Sequence, residues 1–329
     1  MNLTTSFGGL TLRNPFIVSS CSLTAHPEKN LEMEKAGAGA IVLKSIFEEE
    51  IMAQVGNMDH DPLGISGYDY VSFYQKQHCL DEYCRLIRDT KKVCSIPIIA
   101  SVNCFTGTEW TVYAKMFQEA GADAIELNVM RIVSDYDYDY GTLEQQHVEL
   151  LRAVKAVVTI PIIMKLGHSF TNVVPLVSRL RSEGAAAVVL FNKMCPLDFD
   201  IEKLSVRSGE ALSNGSELSE VLRWTALTSA KLPAMPLLAS GGVVDGNAFV
   251  KVLLAGATAA EVCSVLYKKG VSAITDMVAE LNDWMVRHHC ENMEQMRGRL
   301  NAAHRQDGDR FERIQFFSNI SQAHTDLNC

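Results

Sequence analysis

AIVLK at residues 40–44 and PIIMK at residues 161–165 are short apolar runs that each end on a lysine. The end of a buried strand is a costly place for an ammonium unless an anion or a strong hydrogen-bond acceptor meets it there. Lys44 and Lys165 occupy matching positions of repeated units, which points to a shared ligand at one end of a parallel barrel. Further runs of the same kind lie on either side: NPFIVSS (14–20), PIIASV (97–102), AIELNV (124–129), AVVLFN (187–192), PLLAS (236–240) and AAEVCS (259–264). The two lysine runs extend over 40–45 and 161–166. Near-continuous apolar runs of this length mark parallel strands buried on both faces.

The approaches to these strands repeat as well. Gly-Ala-x-Ala or a close variant occurs at 37–40, 121–124, 184–187 and 256–259, and Ile-Pro-Ile-Ile at 96–99 and 160–163. The glycine can take the left-handed conformation that closes a helix, and a proline at a strand's first residue forfeits no interior ladder bond. Eight strands alternating with helices predict an α/β fold, a (β/α)8 TIM barrel; a doubly wound open sheet alternates in the same way, and the strand count favours the barrel. No linker divides the chain, so residues 1–329 read as one domain. A helix over 271–288 and a polar C-terminal extension from about 290 to 329 follow the last strand. Long segments at 46–80, 130–147 and 193–223 follow the second, fourth and sixth strands, at the end of a barrel that carries chemistry.

Composition narrows the function. Hydrophobic residues make up 47% and charged residues 21%, enough for a large core, and the formal charge of −9 argues against a nucleic-acid or anionic-membrane surface. Met1 to Gly9 is too polar for a signal peptide, and no apolar run reaches the length of a membrane span. Nine dispersed cysteines with no C-x-x-C pair read as free thiols in a reducing cytoplasm, without an iron–sulfur motif. His288-His289-Cys290 is no metal site on this reading, because neighbours on a helix diverge and a fourth ligand is missing.

The strand ends bring Ser20, Lys44, Ser45, Asn128, Lys165, Asn192, Gly241, Gly242, Cys263 and Ser264 to one rim. Hydroxyls, amides, two cations and a glycine pair suit a planar, polar-edged ligand carrying a phosphate. Ser240-Gly241-Gly242-Val243 lets backbone N–H groups approach an anion, and the turn after Cys263-Ser264 adds donors in the usual barrel position for phosphate.

Asn14-Pro15-Phe16, Lys44-Ser45, Glu126-Leu127-Asn128, Lys165-Leu166, Asn192 and Ser240-Gly241-Gly242 occur in the order found in the class 1 dihydroorotate dehydrogenase family, which this chain resembles from about residue 2 to 300. The resemblance implies an FMN oxidoreductase that converts dihydroorotate to orotate in pyrimidine biosynthesis by hydride transfer to the flavin. Ser20, Lys44, Ser45, Asn128 and Lys165 would hold the flavin ring and ribityl chain, and Gly241, Gly242, Cys263 and Ser264 its phosphate. Lys44 and Lys165 would serve catalysis as cations, Lys165 at the flavin's N1/O2 edge. Asn128 and Asn192 would face the substrate, where an amide offers both donor and acceptor. A homodimer, and an electron acceptor that is either fumarate-like or a separate electron-transfer subunit, also follow from the resemblance.

The chain departs from that family at the catalytic base. The family has a cysteine, or in class 2 a serine, shortly after the asparagine of the fourth strand; here the run is Asn128-Val129-Met130-Arg131-Ile132. Methionine is no base, and arginine holds its proton. The family's asparagine after that cysteine is missing too, as is its asparagine-containing loop after the second strand, where Leu63-Gly64-Ile65-Ser66-Gly67 stands. Arg131, Asp135 and Tyr136 in the following loop are the candidates to stand in, with Cys104 and Cys195 as the remaining thiols. Two alternatives therefore stay open: a diverged flavoprotein acting on another small cyclic substrate, and a non-catalytic flavin-binding barrel.

Overall fold

In the computed structural model, which describes residues 1–48, 68–103, 109–194, 196–303 and 309–312, the first secondary structure is a small antiparallel hairpin. It pairs β1 (Thr5–Phe7) with β2 (Leu10–Leu12). Eight parallel strands then follow one another round a closed barrel: β3 (Phe16–Val18), β4 (Ala40–Val42), β6 (Ile98–Asn103), β7 (Ala124–Val129), β8 (Ile162–Leu166), β9 (Ala187–Leu190), β12 (Leu237–Ser240) and β13 (Ala259–Val262). The ladder between β13 and β3 joins the two ends of the series. A two-residue strand, β5 (Ile46–Phe47), extends the sheet beside β6.

Helices fill the intervals and cover the barrel: α1 (Pro27–Lys35), α2 (Tyr68–Val93), α3 (Glu109–Glu119), α4 (Thr142–Lys155), α5 (Val173–Ser182), α6 (Leu218–Lys231) and α7 (Gly246–Ala255). The glycines of the four repeated approaches all have positive φ, between 88° and 117°, as expected where a helix ends and the chain turns into a strand.

Two layers of core result from the strand period. The larger lies between strands and helices and includes Phe16, Ile41, Ile98, Tyr113, Phe117 and Phe249. The smaller fills the barrel: Ile17, Val42, Ile99, Ile163, Val189 and Leu238 meet Phe7, Leu10 and Leu12 of the β1–β2 hairpin. That hairpin therefore plugs the N-terminal end of the barrel, and the Thr5 hydroxyl fastens it to the Thr258 carbonyl at 3.2 Å.

Several strands are shorter than their apolar runs. The runs at 14–20, 40–45, 187–192 and 259–264 leave their ladders after Val18, Val42, Leu190 and Val262. Their last residues turn out of the ladders at the barrel's C-terminal mouth. The end of the expected 46–80 loop, from Tyr68 on, is helix α2, and the 193–223 segment holds a second hairpin of β10 (Leu197–Asp200) and β11 (Ser205–Ser208). The helix expected over 271–288 is preceded by a separate one, α8 (Ser264–Lys269), and itself runs as α9 (Ser272–Arg287). Beyond it the extension is tied to the barrel's exterior. Met293 and Met296 are buried, and backbone bonds run from Gly298 to Leu253 and from Leu300 to Leu254. No helix among the described residues is long and apolar enough to cross a membrane, and no cluster among them could hold a metal.

Candidate active site

Strand alternation builds the site. Ile17, Ile99, Ala124, Ile163, Leu238 and Ala259 point into the apolar lumen. Two residues further along the same strands come Ser19, Ser101, Glu126, Lys165, Ser240 and Glu261, every one of them buried. A polar storey thus rests directly on the apolar one. Register sets the neighbours: Ser101 lies beside Glu126, Asn128 beside Lys165, and Ser240 beside Glu261.

Above this floor the predicted rim residues form one hydrogen-bonded chain. Asn192 Nδ2 donates to Asn128 Oδ1 at 2.7 Å, and Asn128 Nδ2 reaches Ser45 Oγ at 3.5 Å. The Ser45 hydroxyl lies 2.9 Å from that of Ser20 and 2.7 Å from that of Ser101. The Ser101 hydroxyl donates to Glu126 Oε1 at 2.9 Å. Asn192 is placed by backbone, its N–H bonded to Leu166 O at 2.8 Å, while Phe191 N–H binds Ser240 O. Lys44, half-buried, stands at the end of β4 on the same rim.

Lys165 meets anionic partners from its own chain. Its Nζ lies 2.7 Å from Glu261 Oε2, 3.1 Å from Ser19 Oγ and 3.5 Å from Glu126 Oε1. Three acceptors face its three protons. Burial alone would lower its pKa, but the two carboxylates outweigh that and raise it, so the ammonium persists. Burial and the Glu261 charge push Glu126 the other way for an acid, up to about 8, despite Lys165 and Ser101. Neither carboxylate was assigned a role from sequence: Glu126 stood only as part of a motif, and Glu261 was read as one letter of an apolar run. The signal was present as the period-two step back from Asn128 and Cys263.

The glycine pair at the end of β12 has the conformation its reading requires. Gly241 and Gly242 have φ of 103° and 70°, and a Cβ on Gly242 would fall 2.4 Å from the backbone nitrogen of Leu218. They border a cleft of about 160 Å³ that Lys165, Asn192, Ser213 and Ser264 also line. Ser264 Oγ accepts from Ser213 N–H at 2.8 Å, and Lys268 holds the Ser213 carbonyl at 3.0 Å. Lys193, also at the cleft, pairs with Glu217 at 2.7 Å. Burial works against the Glu217 carboxylate, but Lys193 and Ser213 keep its pKa below the ordinary value. A glycine-lined cradle with hydroxyl donors and a neutralised carboxylate fits the phosphate end of a flavin mononucleotide. The amide and hydroxyl chain that meets the cleft at Asn192 and Ser20 fits the edge of its ring.

The Cys263 thiol faces Lys165 and Glu261 and hydrogen-bonds Cys21, whose pKa falls to about 6 because that bond outweighs burial. The candidate bases lie elsewhere. Arg131 is exposed and donates to Gln146 Oε1 at 3.3 Å; Asp135 is exposed, and Tyr136 extends fully into solvent. Residues 63–67, Cys104 and Cys195 lie outside the described residues.

Comparison with known proteins agrees with this geometry. The sequence matches the family described as dihydroorotate dehydrogenase over residues 2–285. It is 25% identical over 311 residues to the catalytic subunit of dihydroorotate dehydrogenase B (NAD(+)) from Thermoplasma volcanium, covering 90% of this chain and 98% of that one. It is 28% identical over 280 residues to the protein of the same name from Methanocella arvoryzae, with 82% and 88% covered. With a barrel, a polar rim and a glycine cradle in the expected order along the chain, the protein belongs to the dihydroorotate dehydrogenase family.

Proposed function

We propose that this protein is an FMN-dependent oxidoreductase that oxidises dihydroorotate to orotate, a CH–CH oxidation serving pyrimidine biosynthesis. The observation that carries the reading is the continuous chain from Asn192 through Asn128 and Ser45 to Ser20, whose two ends line the Gly241–Gly242 cleft at one barrel end. Ser20, Lys44, Ser45, Asn128 and Lys165 would hold the ring and ribityl chain, and Gly241, Gly242, Cys263 and Ser264 the phosphate. When bound, FMN supplies the acceptor for a hydride. The chain's own part is placement: Asn128 and Asn192 orient a cyclic amide by paired donor and acceptor, and the buried floor excludes water from below. The relatives' description as catalytic subunits supports a separate electron-transfer partner here, and unpaired cysteines such as Cys21, Cys84 and Cys94 support a cytoplasmic setting. A homodimer is part of the same reading. The β10–β11 hairpin offers an apolar surface for it, with Leu197, Phe199 and Val206 exposed on one face.

Anaerobic mixing of FMN-loaded protein with dihydroorotate tests the proposal through flavin absorbance. Rapid bleaching is the expected result. A flavin that stays oxidised with dihydroorotate but bleaches with dithionite favours the second reading, a flavoprotein for another small cyclic substrate. Met130 and Arg131 at the position of the family's base, with Asp135 and Tyr136 exposed, are its motive. Failure of the folded protein to take up FMN overturns both and leaves the non-catalytic barrel without its flavin as well.

A further inference from the structure

Two carboxyl groups and one ammonium are buried together beneath the candidate flavin site, and fully ionised they would leave one uncompensated negative charge out of contact with water. Each carboxyl also leaves one oxygen, Glu126 Oε2 and Glu261 Oε1, buried with no hydrogen-bond partner among the described residues. The two side chains converge on the same ammonium, Glu261 Oε2 at 2.7 Å and Glu126 Oε1 at 3.5 Å from Lys165 Nζ. One proton held by the pair gives a buried oxygen a donor and leaves a single negative charge facing Lys165. We propose that Glu126 and Glu261 share one proton, balancing Lys165 exactly one for one, and that this pair exchanges its proton with solvent as the charge of a bound flavin changes. The shared proton stands on the protein alone; its coupling to electrons rests on the flavin reading above. Both residues act through Lys165 and are positioning residues.

The surroundings leave few competitors for this proton. Ser101 of β6 binds Glu126 Oε1, and Ser19, just past β3, binds Glu261 Oε2. Tyr83 of α2 faces Glu126 from outside, its phenol bonded to the Ser101 backbone and kept protonated by burial. Cys263 faces Lys165 and Glu261 from the end of β13, and Cys21 contacts Cys263 in turn. Burial and the neighbouring carboxylate raise the Glu126 pKa to about 8, the pH at which the shared proton is expected to leave. Below that pH the floor is neutral. Above it two carboxylates outweigh one ammonium, and electrons entering a ring over a net negative floor are opposed. Reduction then draws one proton from solvent onto the pair, in addition to any proton that the flavin takes up itself. The reductant supplies both electrons, so charge balances.

Infrared spectra of the protein as purified, at neutral pH, test the shared proton without reference to flavin. The wild type is expected to show the carbonyl stretch of a protonated carboxylic acid. Glu261→Gln should lose it, because Glu126 then faces Lys165 without a like charge beside it and ionises. Glu126→Gln should lose it for the reciprocal reason and serves if the first variant does not fold. Absence of the band from the wild type, or its persistence in a folded variant, overturns the proposal. The coupling is read by dithionite titration of FMN-loaded protein in weakly buffered solution with a pH-indicating dye, one unit above the pair's pKa. The wild type should take up about one more proton per two electrons than Glu261→Gln. Equal uptake overturns the coupling. A protein that keeps the band but binds no FMN defeats the flavin reading and leaves the shared proton standing.

Discussion

Lys165 shows how far a single side chain's role depends on its neighbours. As a lone cation at a strand end it would be removable at the expense of flavin reduction alone. With Glu126 and Glu261 against it, Lys165→Ala leaves two buried carboxyls unpaired, and the fold should lose about 3–5 kcal/mol, measured by urea denaturation. Adding Glu261→Gln should recover part of that loss. Glu126 gives a pH signature of its own. A carboxyl whose folded-state pKa is raised stabilises the fold fully below its unfolded value, and that contribution disappears as pH rises towards about 8. Glu126→Gln should therefore flatten the decline in thermal midpoint across that window, relative to wild type. Cys21, its pKa lowered to about 6 by the Cys263 hydrogen bond, should be alkylated at neutral pH well before the buried Cys84 and Cys94, whose values burial raises. Mass mapping of labelled peptides decides it.

At the scale of elements, the strands and the approaches to them were legible because their signals are local: an apolar run, a glycine before it, a proline at its first residue. The polar floor was not. Glu126 and Glu261 lie inside apolar runs, and nothing local reports that closure of the barrel sets β7, β8 and β13 around one point. The hairpins were missed for a different reason, since β1, β2, β10 and β11 are three or four residues long and pack at the barrel's ends, without the continuous hydrophobicity of a strand buried on both faces. The glycine pair is legible in the sequence, yet its obvious variant is not a clean probe. Gly242→Val drives a Cβ into the Leu218 backbone, so it should lower the thermal midpoint as well as release FMN. Inorganic phosphate raising the midpoint of flavin-free wild-type protein is the sharper check of the cradle; no rise would count against it.

For the molecule as a whole, family membership stands beside a run, Met130-Arg131, that supplies no base. The barrel explains how both hold at once. Its strands fix Asn128, Lys165 and Glu261 by register, whereas residues 130–141 leave the sheet and are free to differ without disturbing it. The β1–β2 hairpin has a kinetic corollary. It closes the N-terminal end of the barrel, so on the proposed function an organic substrate, its product and any small soluble oxidant would share the opposite mouth as one threshold, used in turn. Steady-state rates measured against both reactants should then give parallel double-reciprocal lines, the pattern of a turnstile. Intersecting lines would mean that electrons leave by another wall.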